Sequence, residues 1–126
     1  MPGVKFDSIT GLSYEALWFN TSKEPFTTIP VRQAVAYAID RDAIVKQLFA
    51  PVQADIKRID SFATPAFGAL YFDSYAKYKP DTAMVDTLMK GAGWAKGADG
   101  IWAKAGKKAS FEVKTTQNNK RRQQTL

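Results

Sequence analysis

The 126-residue chain contains no cysteine and no histidine. The first absence removes disulfides, thiolate metal sites and thiol nucleophiles; the second removes imidazole ligands and His-based nucleophile–base pairs. No stretch approaches the roughly 18 uninterrupted apolar residues that read as a membrane-crossing helix. The opening MPGVKFDSIT has neither the basic start nor the apolar middle of a signal peptide, so an exported parent would carry its signal upstream. The glycine clusters Gly91-Ala92-Gly93 and Gly97–Gly100 lack the spacing of a phosphate loop and follow no strand. Asp40 and Asp42 are neighbouring carboxylates, but helix capping explains them better than acid–base chemistry does. These absences leave almost nothing for catalysis, and no enzyme and no cofactor are expected.

What is present is ordinary for a globular chain. The sequence is 45% hydrophobic and 24% charged, which argues against wholesale disorder and allows one domain with a modest core. The net charge of +6 is unevenly placed. Residues 1–94 hold ten basic and ten acidic groups, whereas residues 95–126 hold eight basic groups against Asp99 and Glu112. Such an end fits either a small interaction module for nucleic acid or an anionic surface, or the solvated face of a larger, balanced protein. The run Lys120-Arg121-Arg122 is too short to claim nucleic acid, so the second reading is preferred and no nucleic-acid partner is expected.

Patterning predicts strands at about 4–9, 13–20, 101–103 and 109–115, and helices at about 29–39, 41–49, 80–92 and 119–126. Val31, Ala34, Val35, Ala38 and Ile39 make one apolar stripe, entered through Thr28 as cap and Pro30 in the first turn. Asp40 opens the next helix, with Ile44, Val45, Leu48 and Phe49 behind it. Residues 51–80 read as an ordered loop with a brief helix at 72–78. In the third helix Met84, Val85, Leu88 and Ala92 face inward, and Gly93 suits a left-handed end followed by Trp94 as a packing residue. Residues 104–108 form a five-residue hairpin loop. Arg32 is placed to pair with Asp40 or Asp42 between two helices. The tryptophans Trp18, Trp94 and Trp102 could stack on a ligand, but core packing is the preferred reading for each.

Four blocks in one order resemble a known family: LWFNTSKEPFTTIPVRQAVAYAIDRDAI at residues 17–44, Thr64-Pro65, YKPD leading to AGW at residues 78–94, and GADGIW followed by FEV and TT at residues 97–116. The chain is similar to the second lobe of the family 5 extracytoplasmic solute-binding proteins that feed peptide, oligopeptide and nickel ABC importers. It departs from them at Lys79, where relatives carry a capping Asp, and beside Thr27-Thr28, where relatives are acidic. The resemblance implies an α/β fold, a mixed β-sheet with packed helices, as part of one lobe of a type II periplasmic-binding-protein fold. Because such proteins are two-lobed and several times longer, residues 1–126 read as a partial lobe.

The resemblance further implies a periplasmic or extracytoplasmic location for the parent. Its partners would be a peptide or other small solute, an ABC permease and the remaining lobe. The nickel branch is not favoured, since the chain offers no imidazole. Two loops would line the interlobe cleft: Thr64 with Pro65, and the turn containing Thr116, Gln117, Asn118 and Lys120. The competing readings are an ordinary turn for the first and simple capping by Asn118 or Asn119 for the second. A cut sheet would also leave edges through which copies could pair into a homo-oligomer.

Overall fold

The computed structural model describes Gly3, Lys5 and residues 11–126. Two helices lie close in sequence: α1 (Ile29–Ala38) and α2 (Arg41–Leu48). Pro30 occupies the first turn of α1, where its missing N–H would have no helical partner. Thr28 stands at the N-cap with extended backbone, yet its hydroxyl makes no capping bond. Ile39 turns extended and ends α1; Asp40 then starts α2 by accepting the Ala43 N–H at 2.8 Å.

The third helix, α3 (Thr82–Gly91), packs antiparallel-side against α1, and this contact makes the core. Val31 and Ala34 of α1 meet Met89 of α3, with Phe26 and Trp94 closing the cluster and Val85, Leu88 and Ala92 around it. Asp81 caps α3, its Oδ1 accepting the Met84 N–H at 2.9 Å. The cap therefore sits two residues beyond Lys79, and the oxygen that the sequence reading found missing is supplied. The Asp81 N–H donates to the Tyr37 carbonyl at 2.9 Å, fixing the start of α3 to the end of α1.

The far end of α3 is closed by a paired bond set. The Gly93 N–H reaches Lys90 O at 2.9 Å and the Trp94 N–H reaches Met89 O at 3.0 Å. Gly93 takes φ +81, which places Trp94 into the core at 7% exposure. A small sheet follows, β1 (Ala95–Lys96), β2 (Trp102–Lys104) and β3 (Lys107–Lys108), in the order β1-β2-β3. Ala95 pairs with Ala103, and Lys104 with Lys107. Ala105 (φ +49) and Gly106 (φ +75) make a two-residue turn, so the hairpin loop is shorter than the five residues expected. Lys104 Nζ donates to the Ala92 carbonyl at 2.7 Å, tying the hairpin to the negative end of α3.

The chain is α/β, with helices packed beside a sheet whose pairings are all antiparallel among the described residues. Several expected elements differ. The strand expected at 4–9 lies, Lys5 apart, outside the described residues. Residues 13–20 run without a ladder, because no described strand lies in pairing register beside them. Residues 109–115 leave the sheet after one bond, Ala109 N–H to Trp102 O at 2.7 Å, for the same reason. Residues 72–78 form turns instead of a helix, while Pro65–Leu70 forms a 3-10 segment broken at Gly68. The last helix, α4 (Lys120–Thr125), is six residues long.

Two glycines near the end of α3 give a test of opposite signs. An added Cβ at Gly91 meets open space, so Gly91→Ala should raise stability by about 0.5 kcal/mol. At Gly93 the left-handed backbone is strained by any Cβ, and Gly93→Ala should cost about 1 kcal/mol. Urea unfolding of the two variants measures both, and equal signs would contradict this end structure.

Candidate functional site

The long loop between α2 and α3 is held by one guanidinium. Arg41, the first residue of α2, donates through Nη2 to the carbonyls of Tyr75 (2.9 Å) and Tyr78 (2.8 Å). Its Nη1 reaches Ile59 O at 3.3 Å and pairs with Asp60 Oδ1 at 2.9 Å. Arg58 holds the same Asp60 through Nε at 3.0 Å and pairs with Asp42. Arg32 takes no part in this, contrary to the ion pair expected for it: its Nη1 donates to Phe26 O at 2.6 Å. Asp42 is taken by Arg58 and Asp40 by its cap, so the nearer carboxylates are already engaged.

This clamp delivers the segment Ser61–Thr64. Thr64 is only 1% exposed, with a hydroxyl that lacks a hydrogen-bond partner, and its carbonyl accepts the Phe67 N–H at 3.0 Å. Pro65 is exposed and starts the 3-10 segment. Of the two, Pro65 presents itself to solvent and Thr64 does not.

The second candidate place is the turn before α4. Thr116 Oγ1 accepts from Arg122 Nη1 at 2.7 Å. Gln117, Asn118 and Lys120 are exposed, and Asn118 adopts φ +63. Asn119, not Asn118, is the cap, its Oδ1 accepting the Arg122 N–H at 3.1 Å. Asn119 thus spends one free N–H of a helix only six residues long, which weakens the case for an anion held by its N-terminus. No hydrogen bond, ion pair or ring contact among the described residues joins this turn to Thr64 or Pro65.

Sequence reasoning missed Glu15 and misplaced Trp18. The Glu15 carboxylate meets Arg121 Nη1 and Arg122 Nε, each at 2.7 Å. Partial burial disfavours its charge, but Arg122 and then Arg121 outweigh that and hold the carboxyl below its ordinary value. Trp18, expected in the core, is 78% exposed; Phe19 turns inward in its place, 4.9 Å from the Phe26 ring, which is 5.0 Å from Phe111. Trp94 is in the core as expected, and Trp102 is half-buried under the Lys96 ammonium.

The basic end is partly neutralised in place, four carboxylates standing against its eight cations. Lys96 pairs with Asp86, Lys108 with Asp99, Lys114 with Glu112, and Arg121 and Arg122 with Glu15, while Lys104 serves a carbonyl. Among the described residues no group of three acidic side chains is placed to hold a metal ion.

Residues 1–126 match the family described as bacterial extracellular solute-binding proteins, family 5 Middle. The chain belongs to that family. It is 32% identical to the dipeptide-binding protein of Escherichia coli K12 over 94 residues, 74% of this chain and 17% of that protein. It is 33% identical to the oligopeptide-binding protein AppA of Bacillus subtilis over 114 residues, 89% of this chain and 20% of the relative. Among solved structures it resembles NikZ from Campylobacter jejuni in complex with Ni(L-His), with a TM-score of 0.57 and 30% identity over 71% of this chain and 17% of that one. The chain therefore spans about a fifth or less of the length of these proteins. They are solute-binding proteins and not enzymes, and the family's description puts its members outside the cytoplasm.

Two predictions follow from the charges. Arg41→Ala should cost about 2–3 kcal/mol, because it leaves mostly buried Asp60 and three carbonyls short of a donor. Arg41→Lys should recover less than half, since a single ammonium cannot serve a forked set of acceptors; urea midpoints decide it. For Glu15, a depressed folded value means its contribution is complete above the ordinary glutamate range and disappears as pH falls through the folded value. At about 0.5–1 kcal/mol for a part-exposed pair, the stability gap between wild type and Glu15→Gln should be constant near neutral pH and narrow on acidification below the ordinary glutamate range. A gap independent of pH would contradict it.

Proposed function

We propose that this chain forms part of one lobe of a binding protein that captures peptides, or similar small solutes, outside the cytoplasm and delivers them to an ABC importer. The observation that carries the reading is the family match over residues 1–126, joined by relatives whose names specify dipeptide and oligopeptide binding. The surface supports it. A folded monomer of 14.0 kDa exposes about 6,700 Å², and this chain exposes 9701 Å². In this reading neighbouring polypeptide, the remainder of a lobe, covers exposed apolar residues such as Leu17, Phe62, Leu70, Phe72 and Phe111.

In this reading Pro65, Thr116, Gln117, Asn118 and Lys120 supply polar and backbone contacts on one wall of the cleft, with Thr64 behind Pro65 as support. The parent's other partners are the permease and the opposite lobe, and its role is non-catalytic. NikZ adds one point about ligand class: in Ni(L-His) the imidazole belongs to the solute. A chain without histidine is thus compatible with a nickel complex, and the sequence-based argument against that branch loses its force.

Binding sites enclose about 70–90% of a small ligand, which one open wall cannot do. The isolated chain should therefore show no peptide binding by calorimetry at micromolar concentrations. Placed in the E. coli dipeptide-binding protein in exchange for the matching segment, Gln117→Ala or Asn118→Ala should weaken dipeptide binding about 5-fold, equivalent to about 1 kcal/mol. Unchanged affinity in both variants would reject this turn as a ligand wall. Pairing of isolated copies through residues 13–20 and 109–116 would appear as a concentration-dependent mass in light scattering.

A further inference from the structure

Arg122 holds both ends of the exposed turn. Its Nη1 donates to Thr116 Oγ1 at 2.7 Å, and its backbone N–H donates to Asn119 Oδ1 at 3.1 Å. Between these anchors stand Gln117 and Asn118, exposed, the latter with a left-handed backbone. A helix of six residues is too short to keep its own shape or direction in water, so the placement of α4 comes from outside it. Two side-chain contacts do this. Arg121 lays its guanidinium over the Phe49 ring, 4.7 Å from its centroid, and Glu15 engages Arg121 and Arg122 together at 2.7 Å each. Glu15 is 107 residues from Arg122, on the extended segment that carries Trp18 and Phe19.

We propose that Glu15 is the positioning residue of the 116–120 turn, acting through the Arg122 guanidinium. The carboxylate fixes one edge of the fork, which leaves the other edge aimed at Thr116 and sets the direction in which Gln117 and Asn118 project. Without the carboxylate, Arg122 keeps only a neutral hydroxyl as side-chain partner and is free to turn to solvent. The segment 13–20 thereby acquires a role in the site although it contributes no ligand contact of its own. That role bears on solute capture only if the turn is the ligand wall proposed above, and the inference rests on that reading for its functional meaning.

Amide hydrogen exchange on the 126-residue chain tests it. In Glu15→Ala the hydrogen-bonded amides of Arg122 and Gln123 should exchange about 2- to 5-fold faster, while those of α1 and α3 keep their protection. Arg122→Ala should give the same change, and the double variant no more than either alone. Glu15→Asp should restore part of the protection and Glu15→Gln should not, because the carboxylate charge does the holding and not the mere presence of an acceptor. Amides of Arg122 and Gln123 that exchange at the wild-type rate in Glu15→Ala overturn the inference. So does a rise spread equally over α1 and α3, which would make Glu15 a general stability residue. In the exchanged E. coli protein, a loosened turn with unchanged dipeptide affinity would leave the positioning role standing and reject the ligand wall.

Discussion

Everything in this chain hangs on the contact of α1 with α3. Val31, Ala34, Met89, Trp94 and Phe26 are the only apolar cluster buried among the described residues. The closing bonds at Gly93 matter because they turn Trp94 back onto that contact, and the hairpin follows Trp94 directly. Lys104 then returns to Ala92, so the sheet is anchored to the same helix end that the glycine shapes. One left-handed residue thus links helix, core and sheet. Burial of five residues is a small driving force for 126, and the loops need other restraints.

Those restraints are charged. Arg41 collects carbonyls from two separated parts of the connection between α2 and α3, and Asp60 is shared by Arg41 and Arg58. The arrangement differs from a surface ion pair in that the guanidinium also satisfies backbone acceptors, whose desolvation would otherwise oppose folding. Glu15 with Arg121 and Arg122 repeats the device at the other end, on a more exposed and weaker footing. Both candidate loops are therefore tied down by arginines, the first with some burial at Ala63 and Thr64 besides. Hydrophobic packing sets the scaffold, and directional bonds aim the loops.

What was legible in the sequence divides along the same line. The helices at Ile29–Ala38, Arg41–Leu48 and Thr82–Gly91 carry their information locally, in an apolar stripe, in the cap at Asp40 and in the glycine that ends α3, although the Asp81 cap was missed because the family resemblance pointed to Lys79. A strand has no such local signature of its partner. Residues 13–20 and 109–115 have strand-like composition, yet the described chain offers them no ladder, and they lie together only through side chains such as Phe19, Phe26 and Phe111. Trp18 looked like core for the same reason, since composition cannot tell which neighbour covers a face. Of the site residues, Thr116 to Lys120 were readable as a polar turn entering a helix. Glu15 was not, because nothing at position 15 marks a partner 107 residues away. Arg32 was misassigned because spacing along a helix ignored the nearer carbonyl of Phe26.

The division also bears on how related proteins come to hold unlike solutes. The relatives' names span dipeptides, oligopeptides and a nickel–histidine complex. A change of ligand class cannot be made cheaply in the α1–α3 contact, where a single methylene alters packing. Gln117 and Asn118 are under no such constraint, being exposed on a turn whose backbone Arg122 holds from both ends. A turn aimed by one salt-linked arginine thus separates two requirements that usually conflict: a fixed frame, and side chains free to vary without disturbing it.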